Sequence, residues 1–234
     1  MIKPQQFTAK LADKIILNEK FVQYSFELIQ PNTMEFEAGQ YISLALPQGN
    51  LRRSYSICSA PSNTHGFELL IDQGPNGPGC LYLQSLKFGE EIRFLSPLGL
   101  FTIKEPTAPI ILVATGSGIA PMRSMLLDLL QTKSSQQAIL LQWGMRHEAD
   151  LFWLEEFSEL SDQFPNFRFH PVISQPTPKW PLCRGRVTDC LSVHDLVPTA
   201  QYYLCGNSQM LDDVMNVLIK RGVAQQNLHH EKFH

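Results

Sequence analysis

Apolar positions at Val22, Tyr24, Phe26 and Leu28 alternate with Gln23, Ser25 and Glu27, the period-two pattern of a strand buried on one face. Similar runs recur near 8–17, 41–47, 53–59, 66–72 and 90–96, parted by turn-rich pieces such as Pro31-Asn32-Thr33 and Pro61-Ser62-Asn63. Six short strands at this spacing predict a small antiparallel barrel over residues 1–104, interrupted by one helix near Gly79 to Lys87. After Glu105-Pro106 the pattern changes to buried strand, glycine-rich turn and helix, beginning with Pro109 to Ala114 and the helical stretch Met122 to Leu130. Ala138 to Trp143, Phe167 to Ile173 and Tyr202 to Cys205 read as further strands. Leu151, Leu154, Phe157 and Leu160 mark one helix face, and a helix from about Ser208 to Arg221 stops at Gly222. Residues 107–234 therefore predict a doubly wound α/β domain with a parallel sheet.

Composition narrows the partners. Nineteen basic and twenty-two acidic residues leave a net charge of −3, without the basic footprint of a nucleic-acid binder. Hydrophobic residues at 44% exclude intrinsic disorder. The longest apolar run, Ala108 to Ala114, is too short for a membrane span, and the N-terminal residues carry no apolar export segment, which makes the cytoplasm the default location. The five cysteines, Cys58, Cys80, Cys183, Cys190 and Cys205, lack the clustering that holds zinc or an iron–sulfur centre and read as thiols in a reducing compartment. No metal site is expected.

Two segments carry candidate chemistry. Gly116-Ser117-Gly118-Ile119-Ala120-Pro121 lies between a strand and a helix, where glycines admit a pyrophosphate and helix N–H groups face its charge. The same residues suit a tight turn entering a helix with Pro121 in its first turn. Arg53-Ser54-Tyr55-Ser56 lies on a strand, so Arg53 and Tyr55 share a face. A flavin could use a guanidinium for its phosphate, an aromatic surface for its ring and a hydroxyl near N5, although an ordinary strand could carry these four residues too.

Other motifs follow in order: Gly77-Pro78-Gly79-Cys80, Gly89, Pro97-Leu98-Gly99, Trp143-Gly144-Met145-Arg146, Cys205-Gly206-Asn207 and Glu231-Lys232-Phe233. Together they make the chain resemble the ferredoxin–NADP reductase superfamily over nearly its whole length. The resemblance is to small reductases made of a flavin barrel and a nicotinamide domain, without an iron–sulfur domain. It implies that Arg53 binds the flavin phosphate, Tyr55 packs on the isoalloxazine and Ser56 approaches N5. Gly79, Cys80 and Leu81 would add N–H groups to the phosphate, with Cys80 standing where the family usually has Ser or Thr. Gly116, Ser117, Gly118 and Pro121 would line the dinucleotide cleft, Gly144 and Arg146 would flank it, and Cys205-Gly206 would set a thiol beside the nicotinamide C4. Glu231 would be an acidic neighbour of the flavin and Phe233 would lie near the cofactor edge. His229, His230 and His234 read as an exposed tail.

The implied activity is hydride transfer from NADH or NADPH to a flavin, FAD with FMN as the alternative. Electrons would pass to a ferredoxin-like or oxygenase protein. One alternative is a reductase that takes free flavin as substrate; another is a non-catalytic dinucleotide-sensing or electron-transfer subunit. Relatives that prefer NADPH carry Arg where this chain has Gln175 after Ser174, which favours NADH unless Arg184 or Arg186 grips the 2′-phosphate.

Overall fold

A computed structural model describes residues 2–47, 49–104, 107–193 and 196–233. Glu105-Pro106, where the sequence pattern changes, and His234 lie outside the described residues. The chain divides into two compact units, one of Met1–Ile103 with Arg123–Lys133 and the other of Lys104–Met122 with Ser134–His234.

The first unit is a six-stranded antiparallel sheet built from β1 (Gln5–Ile16), β2 (Phe21–Gln30), β3 (Tyr41–Ala45), β4 (Arg52–Ser56), β5 (Gly66–Asp72) and β6 (Glu91–Leu98). Their order is β4-β3-β6-β1-β2-β5. An antiparallel bridge from Ile57, just past β4, to Leu69 of β5 brings the two ends of this sheet together as a barrel. Helix α1 (Pro78–Ser85) stands between β5 and β6. The inward residues of the strands supply the core, where Phe67 lies between Phe26 and Phe94 at centroid distances of 5.3 and 4.9 Å. The alternation in β2 is less strict than expected. Gln23 is buried as well, between the buried Val22 and Tyr24. Arg123–Lys133 belongs to this unit because Arg123 pairs with Glu68 at 2.8 Å and donates to the Cys58 carbonyl, while Ser124 Oγ donates to the Ser59 carbonyl.

The second unit is a parallel sheet of β7 (Ile110–Thr115), β8 (Ile139–Met145), β9 (Phe167–Ile173), β10 (Cys183–Arg184), β11 (Gln201–Gly206) and β12 (Leu228–Lys232), in the order β10-β9-β8-β7-β11-β12. The order runs outward from β7 in both directions, so a topological switch point falls between β7 and β11. Helices α2 (Ile119–Leu127), α3 (Leu154–Gln163), α4 (Val187–Val193) and α5 (Ser208–Lys220) make the crossovers. A π-helical turn at Asp128–Thr132 ends α2. Asn207 caps α5 by accepting from Met210 N at 2.9 Å, and Gly222 follows the helix with φ +88°.

Two expectations are corrected. Leu151 precedes α3 and does not share its face, whose buried residues are Phe157 and Leu160; a 3₁₀ turn at Glu148–Asp150 occupies the segment instead. The tail holding His229 and His230 is an edge strand, because β12 pairs in parallel with β11 from Tyr202 to Gly206. His229 stacks on Tyr203 at 4.7 Å and its Nε2 bonds Gln201 Oε1 at 2.8 Å. The proline-rich segment before Arg186 contains β10, and the seven-residue α4 behind it is too short for periodicity to reveal. Among the described residues no helix is long and apolar enough to cross a membrane, and no group of His, Cys, Asp and Glu is placed to hold a metal.

Candidate functional site

In the first unit the relevant groups meet where β4 faces the start of α1. Strand alternation leaves Arg53 exposed and Tyr55 half-buried on one side, with Ser56 buried behind. The helix enters from Gly77 with Pro78 in its first turn, and Gly77 has no side chain with which to cap it. The Gly79 and Cys80 N–H groups precede the first available helical acceptor and point out of the helix end. Leu81 departs from the expectation: its N–H is already bonded to the Gly77 carbonyl at 3.0 Å, and its side chain is exposed. It lines an open groove of about 430 Å³ beside α1 with Pro47, Asn76, Pro78, Tyr82 and Ser85.

Gly79 is what allows this approach. A Cβ there would collide with Tyr55 Oη and stand 2.9 Å from Arg53 Cγ, so the helix end packs directly on both side chains. Arg53 donates to the Arg52 carbonyl at 2.8 Å, and no carboxylate among the described residues pairs with it. Burial, with Cys80 nearby, pushes the Tyr55 phenol up to about 12, so it is neutral and keeps its donor hydrogen. Burial, with Asp72 nearby, raises the Cys80 thiol also. Cys80 Sγ accepts from Gln84 Nε2 at 3.4 Å, one turn along the helix. An uncapped helix N-terminus, a cation with unused donors and a neutral aromatic ring fit the phosphate and ring of a flavin.

In the second unit the carboxyl ends of β7, β8 and β11 converge. Gly116–Gly118 forms a 3₁₀ turn between β7 and α2, with Gly116 at φ +56° and its carbonyl accepting from Trp143 Nε1 at 3.1 Å. Gly118 lies directly on the end of β11: a Cβ would collide with the Cys205 carbonyl oxygen and stand 3.0 Å from Gly206 N. Thr115 fills the remaining space, its Oγ1 against Gly206 and its Cγ2 3.0 Å from a Cβ placed on Gly144. Ser117 is half-buried at the turn, and Pro121 is buried in the first turn of α2. Arg146 follows β8, exposed, and its Nε donates to Gln175 Oε1 at 3.3 Å.

Cys205 is fully buried in β11, opposite Glu231 of β12. Burial, reinforced by the Glu231 carboxylate, holds its thiol well above the usual range, so it is an uncharged SH group. Phe233 N–H donates to the Gly206 carbonyl at 3.0 Å, which ties the segment after β12 to the same strand end. Gly116, Ser117, Gly118, Gly144, Arg146, Cys205, Gly206, Glu231 and Phe233, spread over nearly 120 positions, therefore come together at one edge of one sheet. Arg184 Nη2 donates to the Pro178 and Trp180 carbonyls at 2.8 and 2.7 Å, which ties the side chain to its own loop. Thr115, which the sequence marks only as the head of the glycine motif, is the residue that packs this turn against Gly144 and Gly206.

Residues 8–103 match the oxidoreductase FAD-binding domain family and residues 112–216 the oxidoreductase NAD-binding domain family. The chain is 32% identical over 247 residues to ferredoxin–NADP reductase B of Sorangium cellulosum (strain So ce56), with 100% of both chains covered. It is 32% identical over 208 residues to the reductase component DmpP of phenol 2-monooxygenase from Pseudomonas sp. (strain CF600), covering 86% of this chain and 58% of that one. Among solved structures, Amycolatopsis cytochrome P450 reductase GcoB superposes with a TM-score of 0.90 at 26% identity, covering 100% of this chain and 71% of that one.

Proposed function

Because the chain belongs to the ferredoxin–NADP reductase family, oxidoreductases whose FAD-binding and NAD-binding domains carry electrons from NAD(P)H through a flavin to an acceptor, we infer that its own residues divide that work between two sites. The β4–α1 site holds FAD, with Arg53 and the Gly79 and Cys80 N–H groups on its phosphate and Tyr55 against its ring. Ser56 stands behind Tyr55 on the same strand and is assigned to the neighbourhood of N5. The edge of the parallel sheet holds the dinucleotide, with the Gly116–Gly118 turn and the start of α2 facing its pyrophosphate and Gly144 and Arg146 flanking it.

Bound FAD would supply the chemistry that the side chains lack, accepting a hydride as a pair of electrons and releasing electrons singly. Cys205 contributes shape: an uncharged, buried sulfur at the strand end limits where the nicotinamide can lie, and Gly206 keeps the space beside it open. Burial keeps Cys205 protonated, with the Glu231 carboxylate adding to it, and the Phe233–Gly206 bond holds the end of β12 in place. The observation that carries this reading is the packing of Gly79 on Arg53 and Tyr55 at an uncapped helix end.

The acceptor is a separate electron-transfer or oxygenase protein, a proposal supported by relatives named as reductase components of monooxygenases and as the electron transfer component of a dioxygenase. A second reading, free flavin as substrate, draws on Cys80. Its sulfur is engaged with Gln84 and offers a phosphate less than a Ser or Thr hydroxyl would. The domain boundary is placed at residues 104–107, supported by family matches that end at 103 and resume at 112. The cytoplasm is the proposed compartment, supported by five cysteines of which none forms a disulfide.

Anaerobic mixing of the flavin-loaded protein with NADH tests the reading. Rapid loss of the oxidised-flavin absorbance, followed by its return when an acceptor protein is added, is the expected result. Absence of bleaching with either NADH or NADPH would overturn it. Flavin that survives gel filtration supports a resident cofactor, and flavin lost at that step supports the second reading.

A further inference from the structure

Cys183 on β10 and Cys190 on α4 lie seven positions apart in sequence, and the fold brings their sulfurs to 2.6 Å. Even two carbon atoms in contact stand farther apart, at about 3.5–4.0 Å. The approach is built by the turn between them. Gly185 takes φ +99°, and Asp189 Oδ2 accepts from Arg186 N at 2.7 Å, which folds the start of α4 back towards β10. On the other side β10 is pinned in register with Val172 and Ile173 of β9.

The two thiols are unequal. Cys183 is half-buried and Cys190 is buried, with burial and the adjoining Cys183 pushing the Cys190 thiol up to about 12. Behind the pair stands Gln142 of β8, itself 1% exposed. Its Nε2 lies 3.6 Å from Cys190 Sγ, and its Oε1 has no partner among the described residues. An amide can present either end to a thiol, so Gln142 can accept the Cys190 proton as a hydrogen bond.

We propose that Cys183 and Cys190 form a dithiol site that a hydroperoxide oxidises to an intrachain disulfide and a small dithiol restores. The Cys183 thiolate attacks the terminal peroxide oxygen. The O–O bond breaks, the departing alkoxide takes a proton to leave as alcohol, and Cys183 becomes a sulfenic acid. The Cys190 sulfur then displaces hydroxide from Cys183; the Cys190 proton leaves with it as water as the S–S bond forms. The two thiols supply the two electrons that reduce one peroxide. In the reverse direction the reductant dithiol takes up the bond by exchange and leaves as its own disulfide.

The cross-link closes the turn that carries Arg184 and Arg186, and it restrains α4, whose Val187 Cγ1 would be 2.7 Å from a Cβ on Gly144. This consequence rests on the reading of Gly144 as part of the dinucleotide site. A pre-ordered wall there lowers the ordering cost of binding, so the oxidised form has a Kd for NADH roughly two- to tenfold lower than the reduced form.

The full chain is reduced with dithiothreitol, desalted, treated with one equivalent of hydrogen peroxide and alkylated under denaturing conditions. Alkylated thiols fall from five to three. Tryptic cleavage after Arg184 and Arg186 puts the two cysteines on separate peptides, which remain linked until dithiothreitol is added. In Cys190→Ser the cross-link is absent and a dimedone adduct appears on Cys183; Cys183→Ser loses both. Five alkylated thiols after peroxide, or a link between other cysteines, overturn the site. A 183–190 link with unchanged NADH affinity overturns the regulatory consequence alone. Failure of both redox forms to bind NADH overturns the dinucleotide reading instead, with the cross-link still read by mass.

Discussion

Replacing Gly79 by Ala adds one methyl group where the first turn of α1 meets β4. The new Cβ would collide with Tyr55 Oη and stand 2.9 Å from Arg53 Cγ, against an ordinary contact of about 3.5–4.0 Å. The β4 backbone cannot give way, because Arg53 is paired with Leu44 and Tyr55 with Ile42 of β3. The two side chains must therefore turn aside. If Arg53 carries a charge-assisted bond to the flavin phosphate, losing it costs about 1.5–3 kcal/mol, roughly a 10- to 150-fold rise in flavin Kd. Stability changes little, since Ala is the better helix former by up to about 1 kcal/mol and offsets part of the crowding. Gly77→Ala is the control: nothing lies within 4 Å of its Cβ, its φ of −69° suits any residue, and it costs about 1 kcal/mol of stability at the N-cap without touching Arg53 or Tyr55. Fluorescence titration of the flavin-free proteins checks this, with NADH affinity measured in parallel and expected to be unaltered in both. A folded Gly79→Ala protein with the wild-type flavin Kd would refute the placing of the phosphate between Arg53 and α1.

Cys205→Ala should slow flavin reduction by NADH about tenfold while leaving flavin content intact, as stopped-flow bleaching would show. Since Cys205 is held as a neutral thiol, the wild-type rate should have no step between pH 6 and 9 that vanishes in this variant. NADH should outperform NADPH in kcat/KM, and Gln175→Arg should shift the ratio towards NADPH by roughly 10- to 150-fold. Arg184→Ala should leave that ratio unchanged, because the bonds from its Nη2 to the Pro178 and Trp180 carbonyls hold the side chain against its own loop; steady-state kinetics with both dinucleotides decides. Burial first, then Lys104 and His230, lower the His229 pKa from 6.5, so folding favours its neutral form. Its contribution is fully present above pH 6.5 and is lost as pH falls through the lowered value, so denaturant unfolding midpoints should drop in that window and drop less in His229→Gln.

The strands of both units were legible because each is either an alternating run or a short apolar run closed by turn residues, and the pattern survives wherever one face or both are buried. It failed where an element is defined by pairing instead of by its own residues. Leu228–Lys232 reads LHHEK, with one apolar residue in five, yet it is a strand because β11 offers an unpaired edge with which it pairs over five residues. β10 is two residues long and exists only through its register with Val172 and Ile173. Leu151 kept helical spacing with Leu154, but the turn at Glu148–Asp150 takes up the chain just before it, and α3 starts after Trp153 in a left-handed conformation.

The candidate site was legible to the extent that glycines and charges stand next to one another in sequence, and no further. Gly116–Gly118 announced a turn, but its carbonyl anchor on Trp143 and its contact with the end of β11 join segments 27 and more than 80 positions apart. Arg53-Ser54-Tyr55-Ser56 announced a shared face, whereas the helix start that packs on this face lies beyond β5. The same limit explains the misassigned Leu81 donor, a backbone N–H that its own helix has already used, and the bracing of Arg184 Nη2 by carbonyls of its own loop. A polar group's usefulness to a ligand depends on what else claims it, and in this chain the competing claimants are backbone carbonyls a few residues away. The groups left unclaimed, the Gly79 and Cys80 N–H groups and most of the Arg53 guanidinium, are where an anion gains most. There a substitution that leaves the charge in place but moves it, such as Gly79→Ala, separates binding from folding more cleanly than removing Arg53 itself.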